Sequence, residues 1–288
     1  MALRSNPTLR QLRLGAELRR MREQAGLGGS QLARSLGINP AHVTQMESGR
    51  TGISVERLRT IAALCMCVNE PLIDALAEII TDRDKGGWWE EYRGRLSQHF
   101  LEMAEMEGRA HGLSTYTMAF IPGLLQTNAY ASAVFARGYP LLPPHEVDLR
   151  TAFRMRRQQV VRSGETPYSA YIHEAALRMQ FSGPGVQADQ LGSLIEDSER
   201  STISIRVVPF TVDALPINHE NFTYVEGPVP ELDTAQMDSG LDSVLFDAPA
   251  HIAQFRSLLE RIDSAALSAE ESRDFIQSIK SDMESNNA

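Results

Sequence analysis

Over roughly the first eighty residues, apolar side chains recur at helical spacing; beyond them, short β-branched and aromatic runs interrupt that rhythm. From Leu9 to about Ala25, Leu14, Leu18 and Met21 fall on one face, and Gly26 ends the segment. Two short helices are predicted at 30–36 and 40–47. A fourth, capped by Ser54, buries Val55, Leu58, Ile61, Ala62 and Cys65, and a fifth at about 70–80 carries Leu72, Ile73, Leu76 and Ile79. The stretch TDRDKGGWWEEYRGR (81–95) breaks the pattern, and a helix resumes from Leu96 to Arg109. Strand-like runs then occur at 115–121, 168–173, 203–209, 221–226 and 242–247. Helical patterns lie between and after them, at 124–137, 145–162, 174–181, 188–198, 249–262 and 268–284. The pattern predicts an all-α five-helix domain over 1–80 and a linker over 81–98. An α+β domain with a small sheet and several helices follows over 99–288. Residues 1–8 read as a loose arm.

Within the first part, LGGSQLARSLGINPAHVTQMESGR (27–50) has the spacing of a helix-turn-helix. Two helices that cross steeply need a small residue where they touch, which Ala33 supplies. The turn four positions later needs positive φ, which Gly37 tolerates. Leu32, Leu36, Ile38, Val43 and Met46 fall where a shared core requires apolar groups. Asn39 caps the second helix, and Pro40 opens its first turn, where a missing N–H costs little. With Val43 and Met46 inward, Ala41, His42, Thr44 and Gln45 face out, as short or polar side chains that reach base edges in a major groove. The bland alternative is a helical hairpin in an ordinary bundle.

The segment HVTQMESGR (42–50) resembles the end of the recognition helix and following loop of Xre-type, lambda-repressor-like regulators. That resemblance implies that Asn39, Pro40, Ala41, His42, Thr44 and Gln45 face DNA, with Ser48 and Arg50 near backbone phosphates. Many such proteins open the first motif helix with Ser/Thr-Gln, where this chain has Gly28-Gly29; Ser30 and Gln31 are the candidates to substitute. Five further segments follow the order and spacing of a C-terminal domain of unknown function found behind Xre-type heads in actinobacterial, WhiJ-like regulators. They are PGLLQTNAYASAVF (122–135), MRRQ (155–158), HEAALRMQF (173–181), QLGSLIE (190–196) and IRVVPF (205–210). This second resemblance implies a small acidic BldB-like partner protein and an antitoxin-like arrangement.

Net charge changes the picture only when divided. The whole chain carries −9, which argues against a DNA binder. Residues 1–68 hold ten Arg and four Glu, a charge of +6, and the remainder is left at −15. A basic head on an acidic body confines phosphate contact to one end. Arg10, Arg13, Arg19, Arg20 and Arg22 either contact flanking phosphates or form a solvated basic face. No apolar run is long enough to span a bilayer, and the basic N-terminal stretch lacks the apolar core of a signal peptide; a cytoplasmic protein is expected.

Candidate chemistry narrows the reading further. Cys65 and Cys67 are two apart in a helical pattern and point in different directions, which favours packing over redox work. His173-Glu174 opens like a zinc-protease motif, but Leu177 stands where the second histidine belongs. Glu174 is expected to cap the helix that begins there. Gly183-Pro184-Gly185 is a turn signal. No reactive pair, cofactor motif or metal set emerges, so no enzymatic activity is expected. Trp88-Trp89 suits anchoring one domain to another better than ligand binding. Arg150, Arg154 and Arg157 share a helix face and could grip a carboxylate ligand or an acidic partner, internal pairing being the alternative. The expected protein is a sequence-specific binder of double-stranded DNA, reading a two-fold site as a homodimer. The competing expectation is an antitoxin-like adaptor that binds protein.

Overall fold

The computed structural model describes residues 7–82, 86–212, 220–238 and 243–285, so residues 1–6 of the expected arm lie outside the described residues. The chain divides into two units, Met1–Glu105 with Pro228–Leu232, and Met106–Gly227 with Asp233–Ala288.

In the first unit the five expected helices form: α1 (Leu9–Gln24), α2 (Gly29–Ser35), α3 (Pro40–Glu47), α4 (Val55–Leu64) and α5 (Glu70–Thr81). Local chemistry sets their ends. The Thr8 hydroxyl accepts from the Gln11 N–H, while the Gln11 side chain accepts from the Thr8 N–H, a reciprocal cap for α1. Ser54 and Asn69 cap α4 and α5 by accepting from Arg57 and Leu72 N–H groups at 3.1 Å each. Leu18, Met21, Leu32, Ala33, Val43, Met46, Leu58, Ile61 and Leu76 then close one buried core. Cys65 packs into it, and burial pushes its thiol up from the ordinary range.

The Trp-rich stretch read as linker is folded where it is described. Trp88–Tyr92 make a 3₁₀ turn in which Trp89 is buried and Trp88 meets Tyr92 edge-on at 6.0 Å. Gly87 permits this: a Cβ there would come within 2.3–2.5 Å of the Trp89 indole. Helix α6 (Gln98–Gly108) follows.

The second unit is built on a six-stranded sheet. In chain order its strands are β1 (Gly112–Thr117), β2 (Tyr168–His173), β3 (Ile203–Val208), β4 (Phe222–Glu226), β5 (Thr234–Asp238) and β6 (Ser243–Phe246). Across the sheet they lie in the order β3-β2-β1-β4-β5-β6. β1, β2 and β3 pair in parallel, whereas β4, β5 and β6 extend the sheet antiparallel from β1. β2 shows why both faces are apolar. Tyr168, Ala170 and Ile172 point into one core and Tyr171 into the other, as strand alternation requires.

Helices α7 (Asn128–Ala136), α8 (Pro144–Arg157), α9 (Gln159–Arg162), α10 (Glu174–Arg178) and α11 (Pro184–Asp197) fall between β1 and β3. Helices α12 (Pro249–Ala265) and α13 (Ala269–Ser285) close the chain. Leu191 and Leu194 of α11 and Ile276 and Ile279 of α13 fill one core with Leu113, Ile172, Ile205 and Val207. Ile252, Phe255, Leu258 and Ile262 of α12 fill the other with Tyr116, Phe222 and Tyr224.

The expected α+β class and small sheet are present, with local differences, among them a first strand at Gly112–Thr117 rather than 115–121 and a helix from Glu174 that ends at Arg178 rather than 181. β5 went unread because TAQMD contains one β-branched residue, although Ala235 is fully buried. The helix expected at 124–137 starts only where the Thr127 hydroxyl accepts from Tyr130 N–H; Gly123–Leu125 form a 3₁₀ turn before it. The helix expected at 145–162 is interrupted at Gln158, whose side chain is spent on backbone carbonyls of another segment.

Inside this unit Arg157 and Glu107 form a buried two-bond ion pair at 2.8 and 2.6 Å, exposed by only 7 % and 4 %. Removing one member strands the other's charge in a poor solvent. Arg157→Met should therefore lower stability by roughly 3–5 kcal/mol, and the double variant with Glu107→Leu should recover most of that loss. Calorimetric unfolding of the full chain measures both.

Candidate nucleic-acid interface

The motif's second helix, α3, is short, and its presentation depends on how both ends are fixed. At its start the Asn39 side-chain oxygen accepts from Ala41 N–H at 2.9 Å and Pro40 occupies the first position, as the sequence led us to expect. Gly37 makes the preceding turn at φ +64°. Ala33 of α2 and Val43 of α3, each 1 % exposed, are buried in the same core.

Two glycines govern the far end. A Cβ on Gly15 of α1 would sit 2.4 Å from the Glu47 carbonyl oxygen, so α1 and the end of α3 touch backbone to backbone. Gly49, at φ +70°, would bring a Cβ within 2.8 Å of the Gln11 carbonyl oxygen. Beyond it the chain folds back, with Thr51 N–H donating to the Gln45 carbonyl at 3.1 Å. Arg22 then clamps α3 from α1: its guanidinium donates to both Glu47 carboxylate oxygens at 2.6 and 2.9 Å and to the Leu27 carbonyl at 2.9 Å. The hydrogen bond to Glu47 raises the Arg22 pKa above its ordinary value.

These restraints leave one polar face outward. Asn39, Pro40, Ala41, His42 and Thr44 are exposed and Gln45 is half-buried, while Val43 and Met46 point inward. Arg50 is exposed on the loop after α3, beside half-buried Ser48, whose hydroxyl donates to the Gln45 carbonyl at 3.3 Å. On α2, Ser30 and Gln31 are both exposed, but the Gln31 side-chain oxygen accepts from Gly28 N–H at 2.6 Å and so closes the first turn of α2. The structure thus leaves the candidates from α3 and its loop exposed or half-buried, with Gln31 partly committed to its own helix.

The α1 arginines make internal pairs. Arg22 holds Glu47 and Arg19 holds Glu23 at 2.7 Å. Arg13 and Arg20 flank buried Glu17, and Arg10 pairs with Glu105 at 3.7 Å. Sequence reading missed the clamp because its partners lie 25 positions apart and neither shows a helical i,i+4 pattern with the other.

In the second unit the α8 arginines do not form a free stripe. Arg157 is the buried partner of Glu107. Arg154 donates to the Gln126 side chain at 2.6 Å and lies over the Phe135 ring at 4.1 Å, and Arg150 meets Glu146 one turn back at 3.2 Å. The expected cap of α10 also shifts by one residue. His173 Nδ1, not Glu174, accepts from the first-turn N–H of Ala175, at 3.2 Å. The Glu174 carboxylate is held by Arg178 at 2.6 Å and by Phe210 N–H at 2.9 Å. Burial lowers the His173 pKa, which keeps Nδ1 available as an acceptor. Among the described residues no cluster of three potential metal ligands occurs, and no helix is long and apolar enough to cross a membrane.

A helix-turn-helix domain model matches residues 13–76, and a model described as a domain of unknown function (DUF5753) matches residues 100–278. No curated protein and no solved structure matches the chain.

The backbone contact at Gly15 yields a direct test. Gly15→Ala must push α1 away from α3 against a carbonyl that cannot swing aside, and should destabilise the first unit by about 1–3 kcal/mol. A calorimetric scan of the full chain should show that loss.

Proposed function

Because the chain belongs to the DUF5753 family and carries a helix-turn-helix domain ahead of it, we propose that it is a sequence-specific DNA-binding transcription regulator of the Xre type. One observation carries the reading most of the way. The exposed face of α3 is made of Ala41, His42, Thr44 and Gln45, while its inner face and both ends are locked to α1 and α2. A short helix held this firmly is suited to the major groove, with its N-terminal residues at base edges. In this reading His42 and Gln45 make the principal base contacts, with Thr44 and Ala41 beside them. Asn39 and Pro40 approach the groove at the helix start, and Ser30 and Gln31 approach the flanking backbone. Ser48 and Arg50 hold phosphates.

The second unit, on this proposal, supports a homodimer that reads a two-fold site and takes a small acidic BldB-like protein or a ligand as its input, as WhiJ-like actinobacterial regulators resembling this chain suggest. Partner contact on α8 would draw half-buried Arg150 and Arg154 out of their pairs with Glu146 and Gln126, Arg157 being buried on Glu107. The charge of −15 beyond residue 68 favours a second reading, an antitoxin-like adaptor in which protein contact dominates. Salt separates the two. A protein resting on several phosphates loses affinity steeply as salt rises, whereas an apolar protein contact does not.

DNA fragments selected from the source genome supply the test duplex. Arg50→Ala should weaken specific and random duplexes about equally. His42→Ala and Gln45→Ala should each cost roughly 1–3 kcal/mol on the selected site alone. Equal losses on both duplexes for His42 and Gln45 would end the base-contact assignment. Absence of any preference for the selected site, at low salt and with or without the partner, would end the regulatory one.

A further inference from the structure

A cleft of about 410 Å³ opens within the first unit, between α1, the 49–53 loop, the end of α5 and the Trp88–Tyr92 turn. Its volume falls in the range of small-molecule sites, which is roughly 300–1,000 Å³. Leu14, Leu18, Ile53, Ile79, Ile80 and Trp89 supply the apolar half of its lining, and Thr8, Gln11, Thr51 and charged side chains supply a polar half. Leu18, Ile53 and Trp89 are buried, so these walls are fixed by the core behind them. The indole is set in place by its own sequence, since only a glycine at 87 leaves room for it to lie against the backbone. Among the described lining residues stand two cations and two carboxylates. Arg93 donates to Glu90 at 2.6 and 2.7 Å, and Arg10 pairs with Glu105. Among the described lining residues these charges pair with one another, so they offer hydrogen bonds without favouring an ion of either sign.

We propose that this cleft binds a neutral small molecule with an apolar body and a hydrogen-bonding end, and that its occupancy adjusts the DNA-contacting loop. Met46 and Gly49 line the cleft together with Thr51, Gly52 and Ile53, which places its wall at the end of α3 and on both sides of Arg50. A molecule seated there touches the same backbone that carries the phosphate contact. Binding at the two places is then linked, and the coupling is reciprocal. The binding half of the inference stands on the cleft alone. The coupling half rests on the proposed DNA-binding function.

Both tryptophans of the chain, Trp88 and Trp89, sit in the turn that walls the cleft, so energy transfer from tryptophan reports this location. The probe is N-phenyl-1-naphthylamine, neutral and apolar, titrated into the full-length protein. Saturable one-to-one transfer is expected. Ile80→Glu, which sets a charge in the lining, should weaken binding about tenfold or more. Leu14→Phe, which fills the space with an apolar group, should weaken it independently, with thermal melts confirming that each variant is folded. The anionic relative 8-anilinonaphthalene-1-sulfonate should bind several-fold more weakly. Unsaturable transfer, transfer unchanged in both folded variants, or tighter binding of the sulfonate would overturn the site or its ligand class. For the coupling, saturation with the selected duplex should change the probe's affinity about fivefold or more. An unchanged affinity on a duplex that the protein demonstrably binds would overturn the coupling and leave the DNA-binding function standing.

Discussion

The approach of α1 to the end of α3 is the constraint from which the head's function follows. Gly15 against the Glu47 carbonyl and Gly49 against the Gln11 carbonyl are contacts that no side chain can occupy. They bring two helices together at backbone distance, and Arg22 fixes their rotation by gripping both oxygens of Glu47. The proposed reading of bases demands that a helix of eight residues hold its orientation while only one face is engaged. Such a helix is too short to be stable alone, so its geometry comes from its neighbours. The charge of Arg22 serves the same end, since a two-bond guanidinium–carboxylate pair has directionality that apolar packing lacks.

Polar side chains play a comparable part in the second unit, where they hold a buried loop. Residues 121–127 run through the interior between β1 and α7, and their backbone groups need partners away from water. Glutamines supply several of them. Gln126 donates to the Ile121 carbonyl at 2.8 Å, Gln158 to the Gln126 carbonyl at 2.6 Å, and Gln190 to the Leu125 carbonyl at 2.9 Å while accepting from Thr127 N–H at 2.7 Å. Tyr130 adds a contact through its hydroxyl, which Ile121 N–H meets at 3.2 Å, and burial pushes its pKa up to about 12. An unpaired buried amide costs enough that each of these side chains is bound to its place.

That accounting explains what could be read in advance and what could not. The helix-turn-helix was legible because its signals are local: Ala33, Gly37, Asn39 and Pro40 act on the next few residues, and Leu32, Val43 and Met46 repeat at helical spacing. Strands β2, β3 and β4 were legible for a similar reason, being rich in β-branched or aromatic residues that alternate between faces. β5 was not, because Thr234–Asp238 owes its place to pairing with β4 and β6, with Ala235 fully buried between them. Internal pairing is one of two readings the sequence leaves open for Arg157, but its partner could not be named, because Glu107 is fifty positions away on another element. Pairing across such separations leaves no periodic trace. The cleft was invisible for the same reason, since its lining comes from five separate stretches of chain.

The segments that made the second unit recognisable turn out to be largely its framework. PGLLQTNAY contributes Gln126 and Tyr130, MRRQ contributes Arg157 and Gln158, and QLGSLIE opens on Gln190. HEAALRMQF supplies His173 as a helix cap and Glu174 as an acceptor for Phe210 N–H. Each of these polar groups has a structural partner, so the pattern identifies a fold without pointing to a reaction. Activity specific to this chain is therefore better sought where side chains are not already engaged in holding backbone. In the head that means the outer face of α3, where Ala41, His42 and Thr44 are exposed, and the cleft whose walls meet the loop behind it.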